Sequence, residues 1–356
     1  MNKHRQAAHQ TGLTLVEILV ALAVSLVLLA GIVQIYAASK QSYRVTDALS
    51  RQQENARYAM EILARDIRSA GLLGCGGRST RVANSVNDAG AWYAEASAII
   101  GYEGGVDSFP EEYASDVLSG TDSVILRYAN TDDTYMVTKH VPDSATIHLA
   151  DDHDLKQGEI LVIANADCTQ VGVFQMSNTN LNNTISIVDH NTGGATSPGN
   201  CTKTLWGDWD CNGSFPTNPT KDMAYDSDSF LLRFAAHAYY IGSSSSPGNP
   251  PALFRERLSG GSTTSEELVE GVEDLQIQYG EDTDEDQIAN LYRPANQVAD
   301  WGNIVSVNLS LLLRTTEDSL SQGTQSVSYN GGTVTATDRR LRMAHSATVN
   351  LRNRVP

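Results

Sequence analysis

Positive charge is in short supply in this sequence. Lys and Arg number 25 against 42 Asp and Glu, giving a formal net charge of −17. No basic field exists to draw in a phosphate backbone, so nucleic acid is not expected as a partner. Cysteine is scarce too: Cys75, Cys168, Cys201 and Cys211 are the only four, and none forms a CxxC pair. No cysteine stands at a spacing from histidine that would make a zinc site. Catalytic signatures are missing as well, with no GxSxG elbow, HExxH, Walker loop or dinucleotide fingerprint. Ser, Asp and His are abundant enough for a fold to assemble a triad, but no enzyme is expected. Only one long helical pattern is present, which argues against βαβ units.

That helical pattern begins after a polar, basic stretch, residues 1–12 (MNKHRQAAHQTG). An apolar run follows at once over residues 13–38, LTLVEILVALAVSLVLLAGIVQIYAA. As a helix it would span roughly 39 Å, more than the ~30 Å of a bilayer core. Lys3 and Arg5 would keep the N-terminus cytoplasmic. A secretory signal peptide has a shorter apolar region and then a small-residue cleavage site. A plain signal anchor fits better but leaves Glu17 unexplained, because a carboxylate inside a membrane span is costly and marks a functional site by default.

The segment Gly12-Leu13-Thr14-Leu15-Val16-Glu17 resembles the cleavage and methylation site of type IV prepilins. The resemblance implies that prepilin peptidase cuts after Gly12 and methylates the new N-terminal residue, Leu13, which makes Glu17 the fifth mature residue. Most of that family begins with phenylalanine; leucine keeps the apolar character. Cleavage creates an α-amine at a helix N-terminus, where four N–H groups are unsatisfied and the helix dipole is positive. The Glu17 carboxylate of a neighbouring subunit can neutralise it. At ~4 Å and an effective dielectric near 20 such a pair is worth roughly 4 kcal/mol before desolvation. It would set axial register as much as affinity.

The helical pattern continues past the apolar run. Val45, Leu49, Gln52, Ala56, Ala59, Leu63 and Ile67 recur at spacings of three and four, with Arg44, Arg51, Glu54, Arg57, Glu61, Arg65, Asp66 and Arg68 largely on the other faces. Gly71 and Gly74 end it. Lys40 and Arg44 would meet lipid headgroups just beyond the membrane. Beyond Gly71 the period changes to two, as in Val124-x-Leu126-x-Tyr128, Leu275-x-Ile277-x-Tyr279, Val305 to Leu313 and Ala347-x-Val349-x-Leu351. Ile160 to Ala164 reads as a buried strand, and Asn330-Gly331 as a hairpin turn. The expected fold is α+β and pilin-like. A long N-terminal helix with a transmembrane first half packs on an antiparallel β-sheet domain in two lobes. The divisions are leader 1–12, transmembrane half 13–38, amphipathic half 39–70 and globular domain 71–356.

The loops at 189–222 and 242–251 are long and polar. The first holds Cys201 and Cys211 and is long enough to need a staple. We pair Cys201 with Cys211 and Cys75 with Cys168, one of three connectivities, with free buried thiols the alternative. Disulfides imply an oxidising compartment. The acids of Asp282-x-Asp284-x-Asp286 could wrap a hard cation such as calcium, although Gln287 and Arg293 stand where an EF-hand loop has glycine and glutamate. A solvated acidic turn is the plain alternative, and Asp151-Asp152-His153-Asp154 is read as one. No cofactor is required.

A second resemblance narrows the first. Ser42-Tyr43-Arg44, Gln53-Glu54-Asn55-Ala56-Arg57, Ala64 to Arg68 and Gly74-Cys75 are similar to the helix region of the PilW family of minor pilins. So are Glu270 to Gly280, Asp338 to Arg342 and Val349 to Arg354. The resemblance implies an inner-membrane protein with a periplasmic domain that enters the pilus at or near its tip and primes assembly. Its partners would be prepilin peptidase, other minor pilins, the major pilin (through the helix) and a tip adhesin. J-type pseudopilins of type II secretion share part of the last segment. A tip adhesin binding surfaces or sugars through the two loops is a further alternative.

Overall fold

The computed structural model describes residues 14–74, 80–87, 91–94, 97–178, 186–193, 196–259 and 261–354. One helix runs Leu15–Ser69. The chain divides into two compact units, residues 1–51 and 52–356, so the last helical turns belong to the second. Within the first unit the helix is long and apolar enough to cross a membrane. From Leu15 to Tyr36 its large apolar side chains are all exposed.

In the second unit the helix buries Gln52, Ala56, Ala59, Ile62, Leu63, Asp66 and Ile67. Spacings of three and four put these residues on one stripe. Against it lie Leu275, Ile277, Val307, Leu309, Leu311 and Val349 in one apolar cluster. Each fully buried aliphatic side chain of this kind contributes roughly 1.5–3 kcal/mol. The helix stops where Gly71 takes φ 80°, a left-handed conformation that glycine adopts without penalty. Gly74, at φ 81°, also comes so close to the sheet that a Cβ would stand 2.8 Å from Leu232 and Phe230.

The cluster's β residues come from two sheets. The smaller has four antiparallel strands in the order Leu291–Arg293, Val272–Glu281, Ile304–Arg314, Arg342–Asn350. Its alternation is the one read from sequence: Val307, Leu309 and Leu311 face the core, with Asn308 and Ser310 opposite. Among the described residues the larger sheet has eleven strands, built around Ser123–Val141 and Phe230–Ser243, which pair antiparallel. Ile160–Ala164 is there with all five residues buried. The hairpin Ser326–Tyr329/Gly332–Thr335 turns through Asn330 (φ 45°) and Gly331 (φ 73°). Both values are positive, as a type I′ turn requires.

Three details depart from expectation. Arg81–Asn84 pairs parallel with both Gln170–Gln175 and Trp209–Asp210, so the large sheet is not wholly antiparallel. The polar stretch 242–251 is mostly the end of a hairpin, whose strands run to Ser243 and restart at Pro251. Asp66, placed among the outward charges, is buried at 2% exposure.

Candidate functional site

Glu17 is described; Gly12 and Leu13 lie outside the described residues. The Thr14 N–H donates to Glu17 Oε2 at 2.9 Å, and the Thr14 hydroxyl donates to the same oxygen at 3.0 Å. The Glu17 N–H returns a bond to Thr14 Oγ1 at 3.3 Å. This is a capping box, in which Ser or Thr and a Glu three residues on satisfy each other's backbone donors. Thr14-x-x-Glu17 is the sequence signal for this cap, one that the apolar run around it obscures. The arrangement gives Glu17 hydrogen-bond donors within its own chain, at the start of a helix whose other side chains there are apolar.

A second polar set fastens the last helical turns to the sheets. Asp66 Oδ2 accepts from the Tyr239 hydroxyl at 2.5 Å and lies 2.6 Å from His237 Nδ1, while Arg65 Nε donates to Oδ1 at 3.3 Å. Gln52 Nε2 donates to the Leu313 carbonyl at 2.9 Å, and Asn55 Nδ2 to that of Glu270 at 3.1 Å. Long-range partners such as His237 and Tyr239 have no local sequence signal. Asp66 does show one, since it falls four residues after Ile62 and three after Leu63, on the buried stripe.

The two sheets are joined through Asp122. Its Oδ2 accepts from the Ile277 N–H at 2.7 Å and its Oδ1 from the Gly104 N–H at 2.9 Å. Burial pushes this carboxyl up to about 7, against the pull of the two backbone donors. At the other end of the small sheet Arg342, 7% exposed, is clamped between Glu273 (2.7 and 2.9 Å) and Asp338 (2.6 and 3.3 Å). Paired, bidentate geometry of this kind is what makes a buried guanidinium tolerable.

Cys201 and Cys211 form a disulfide with Cα atoms 6.1 Å apart. Cys168 is also disulfide-bonded; Cys75, its expected partner, lies outside the described residues. The carboxylates of Asp282, Asp284 and Asp286 come within 4.8 Å of one another, with Asp282 buried and the other two exposed. Backbone donors already reach the turn, from Gln287 to Asp282 at 3.1 Å and from Ile288 to Asp286 at 2.8 Å. In the other acidic stretch Asp151, Asp152 and Asp154 are exposed while His153 is buried. Arg233 ties Asp154, Asp133 and Glu159 together.

Residues 238–353 match the family model described as type IV pilus-assembly protein W, and residues 8–33 match that of the prokaryotic N-terminal methylation motif. The chain is thus similar to the PilW-type minor pilins over those residues, and the two matches together support a type IV pilus minor pilin. No curated protein and no solved structure matches it. The matched segment starts within Phe230–Ser243 and holds the whole four-stranded sheet and the hairpin. Of the resemblances quoted above, those at Glu270–Gly280, Asp338–Arg342 and Val349–Asn353 fall inside it, whereas those at residues 42–75 lie outside both matches. The matched families point to a structural, assembly role, and the apolar helix suggests membrane anchoring.

Proposed function

We propose that this minor pilin is cut after Gly12 by prepilin peptidase, N-methylated at Leu13 and inserted at or near the pilus tip, where it primes filament assembly with other minor pilins and contacts the major pilin through its helix. The observation that carries this reading is Glu17. It is an ionisable residue in an apolar run that otherwise lacks charge up to Lys40, within the matched methylation motif. Cleavage would create the amine that the carboxylate of a neighbouring subunit needs. Before assembly the helix sits in the inner membrane with the globular domain in the periplasm, where disulfides such as Cys201–Cys211 persist. The domain carries no catalytic task, and a tip adhesin could be held above it.

Mass spectrometry of the mature N-terminus is the test. The expected product begins at N-methyl-Leu13; an intact Met1 or a cut beyond residue 30 overturns the reading. A J-type pseudopilin would give the same N-terminus but a different deletion phenotype, loss of secretion with pili retained. At the acidic turn we propose that Asp282, Asp284 and Asp286 take calcium when it is supplied. Calorimetry of the chain should then show binding heat and a raised melting temperature, and no heat with no shift would leave a solvated turn.

A further inference from the structure

The four-stranded sheet ends on Arg342–Asn350, which pairs with Ile304–Arg314 on one side and, among the described residues, with no strand on the other. The direction of each backbone group follows from two contacts. The Arg342 N–H donates to Gln325 Oε1 at 2.7 Å, and its carbonyl accepts from Gln325 Nε2 at 2.9 Å. Arg342 therefore turns its backbone away from the sheet, and a side-chain amide fills the place of a next strand there. The Leu351 N–H instead donates inward to Val305 O. The register between these points is unbroken, so even-numbered residues face outward. Ala344, Ser346 and Thr348 thus present successive donors and acceptors along an open edge.

Open edges are normally blunted by charge, proline, bulges or brevity. Met343 to Asn350 (MAHSATVN) contains no Asp, Glu, Lys, Arg or Pro, in a chain of net charge −17. The other long edge strand, Ser262–Glu270, carries Glu266, Glu267 and Glu270. Leu291–Arg293, at the opposite edge of the small sheet, has three residues. Beside the uncharged edge, under the Asn330-Gly331 turn, lies a groove of about 490 Å³ lined by Gln278, Asn308, Ser310, Tyr329, Asn330 and Ser346.

We propose that this edge receives an extended strand from a neighbouring pilin by β-augmentation, an inference that rests on the filament reading above. Backbone bonds to Ala344, Ser346 and Thr348 supply the attachment. Alternation sets the chemistry of the incoming strand. Side chains falling beside Ala347 and Val349 are apolar, and those falling over the groove are uncharged hydrogen-bonding residues. A second copy of this chain is the poorer occupant, because it brings −17 to −17.

The test uses the full chain in piliated cells. Ser346→Lys/Thr348→Lys should leave the chain anchored and at normal abundance but cut pilus number at least fivefold. The same charge on the guarded edge, Thr264→Lys, should change nothing. Ser346→p-benzoylphenylalanine, irradiated in sheared pili, should give an adduct with a different pilin. That second measurement stands even if the double lysine variant fails to fold. Normal piliation by a folded double variant overturns the proposal, as does the absence of any adduct or an adduct of twice the chain's own mass. Failure of the underlying reading looks different, because deleting the whole chain would then leave pili as numerous as before.

Discussion

Residues 14–51 and residues 52–356 both set ionisable groups among apolar side chains, and they do so by opposite means. The first unit wears its apolar surface outside and gives Glu17 donors from Thr14, three residues away. The second unit encloses Asp66 and Asp122 and surrounds each with partners from distant strands. A carboxylate satisfied by its own helix cap can change partners without unfolding anything. One held by a strand more than a hundred residues away cannot. The first arrangement suits a contact made during assembly, and the second suits a rigid body that the helix must carry.

Breaking the distant network should produce the largest effect on stability. Asp66→Ala leaves His237 and Tyr239 facing a void and should cost about 3–5 kcal/mol, read as a fall in the chemical-denaturation midpoint of the full chain in detergent. Acid comes next. His140 and His190 meet at 3.1 Å between their Nε2 atoms, and the Tyr225 N–H donates to His140 Nδ1 at 3.2 Å. Burial pushes His140 down to about 4 and His190 well below its usual range, helped there by His140 and Lys203. Both rings are neutral in the fold. Their contribution is therefore whole above the unfolded value near 6.5 and is lost as pH falls toward 4, at roughly 1.4 kcal/mol per pH unit per group. Asp122, raised to about 7 by burial, works the other way and loses its contribution as pH rises from near 4 to 7. The slope difference between the wild type and His140→Asn, followed by unfolding at several pH values, separates the two.

Cys211→Ser opens a loop of sequence separation 10 and should cost about 2–3 kcal/mol, measurable as a lower melting temperature under non-reducing conditions. The first unit should answer in the opposite way. Glu17→Ala should leave the melting temperature of the domain untouched and processing intact, while incorporation into pili falls about tenfold, equivalent to roughly 1.4 kcal/mol per subunit. Normal incorporation of that variant would dissolve the contrast between the units. Thr14→Val is the mildest change. It removes a cap worth about 1 kcal/mol and should show as fraying of the first turn by amide exchange in micelles.

Much of this was legible in residue order, where the signal is local. The helix, the alternation of Val305 to Leu313, the Asn330-Gly331 turn and the buried run at Ile160 all depend on neighbours within a few positions. The cap at Thr14 is equally local, but the cost of the Glu17 charge in an apolar run masks it. The parallel pairing of Arg81–Asn84 and the partners of Asp66 could not be read, since they depend on which distant strands meet. Asp66 was also hidden by its residue type. A carboxylate on an apolar stripe reads as a flaw in the stripe until His237 and Tyr239 are seen opposite it.

The Thr14–Glu17 cap has one more consequence. The Glu17 carboxylate already has hydrogen bonds within its own chain, so under the proposed function joining a neighbour's amine would trade one set of partners for another instead of filling a vacancy. Trades of that kind run in both directions with small net change, and under the proposed function they would let a subunit enter a filament and later return to the bilayer intact.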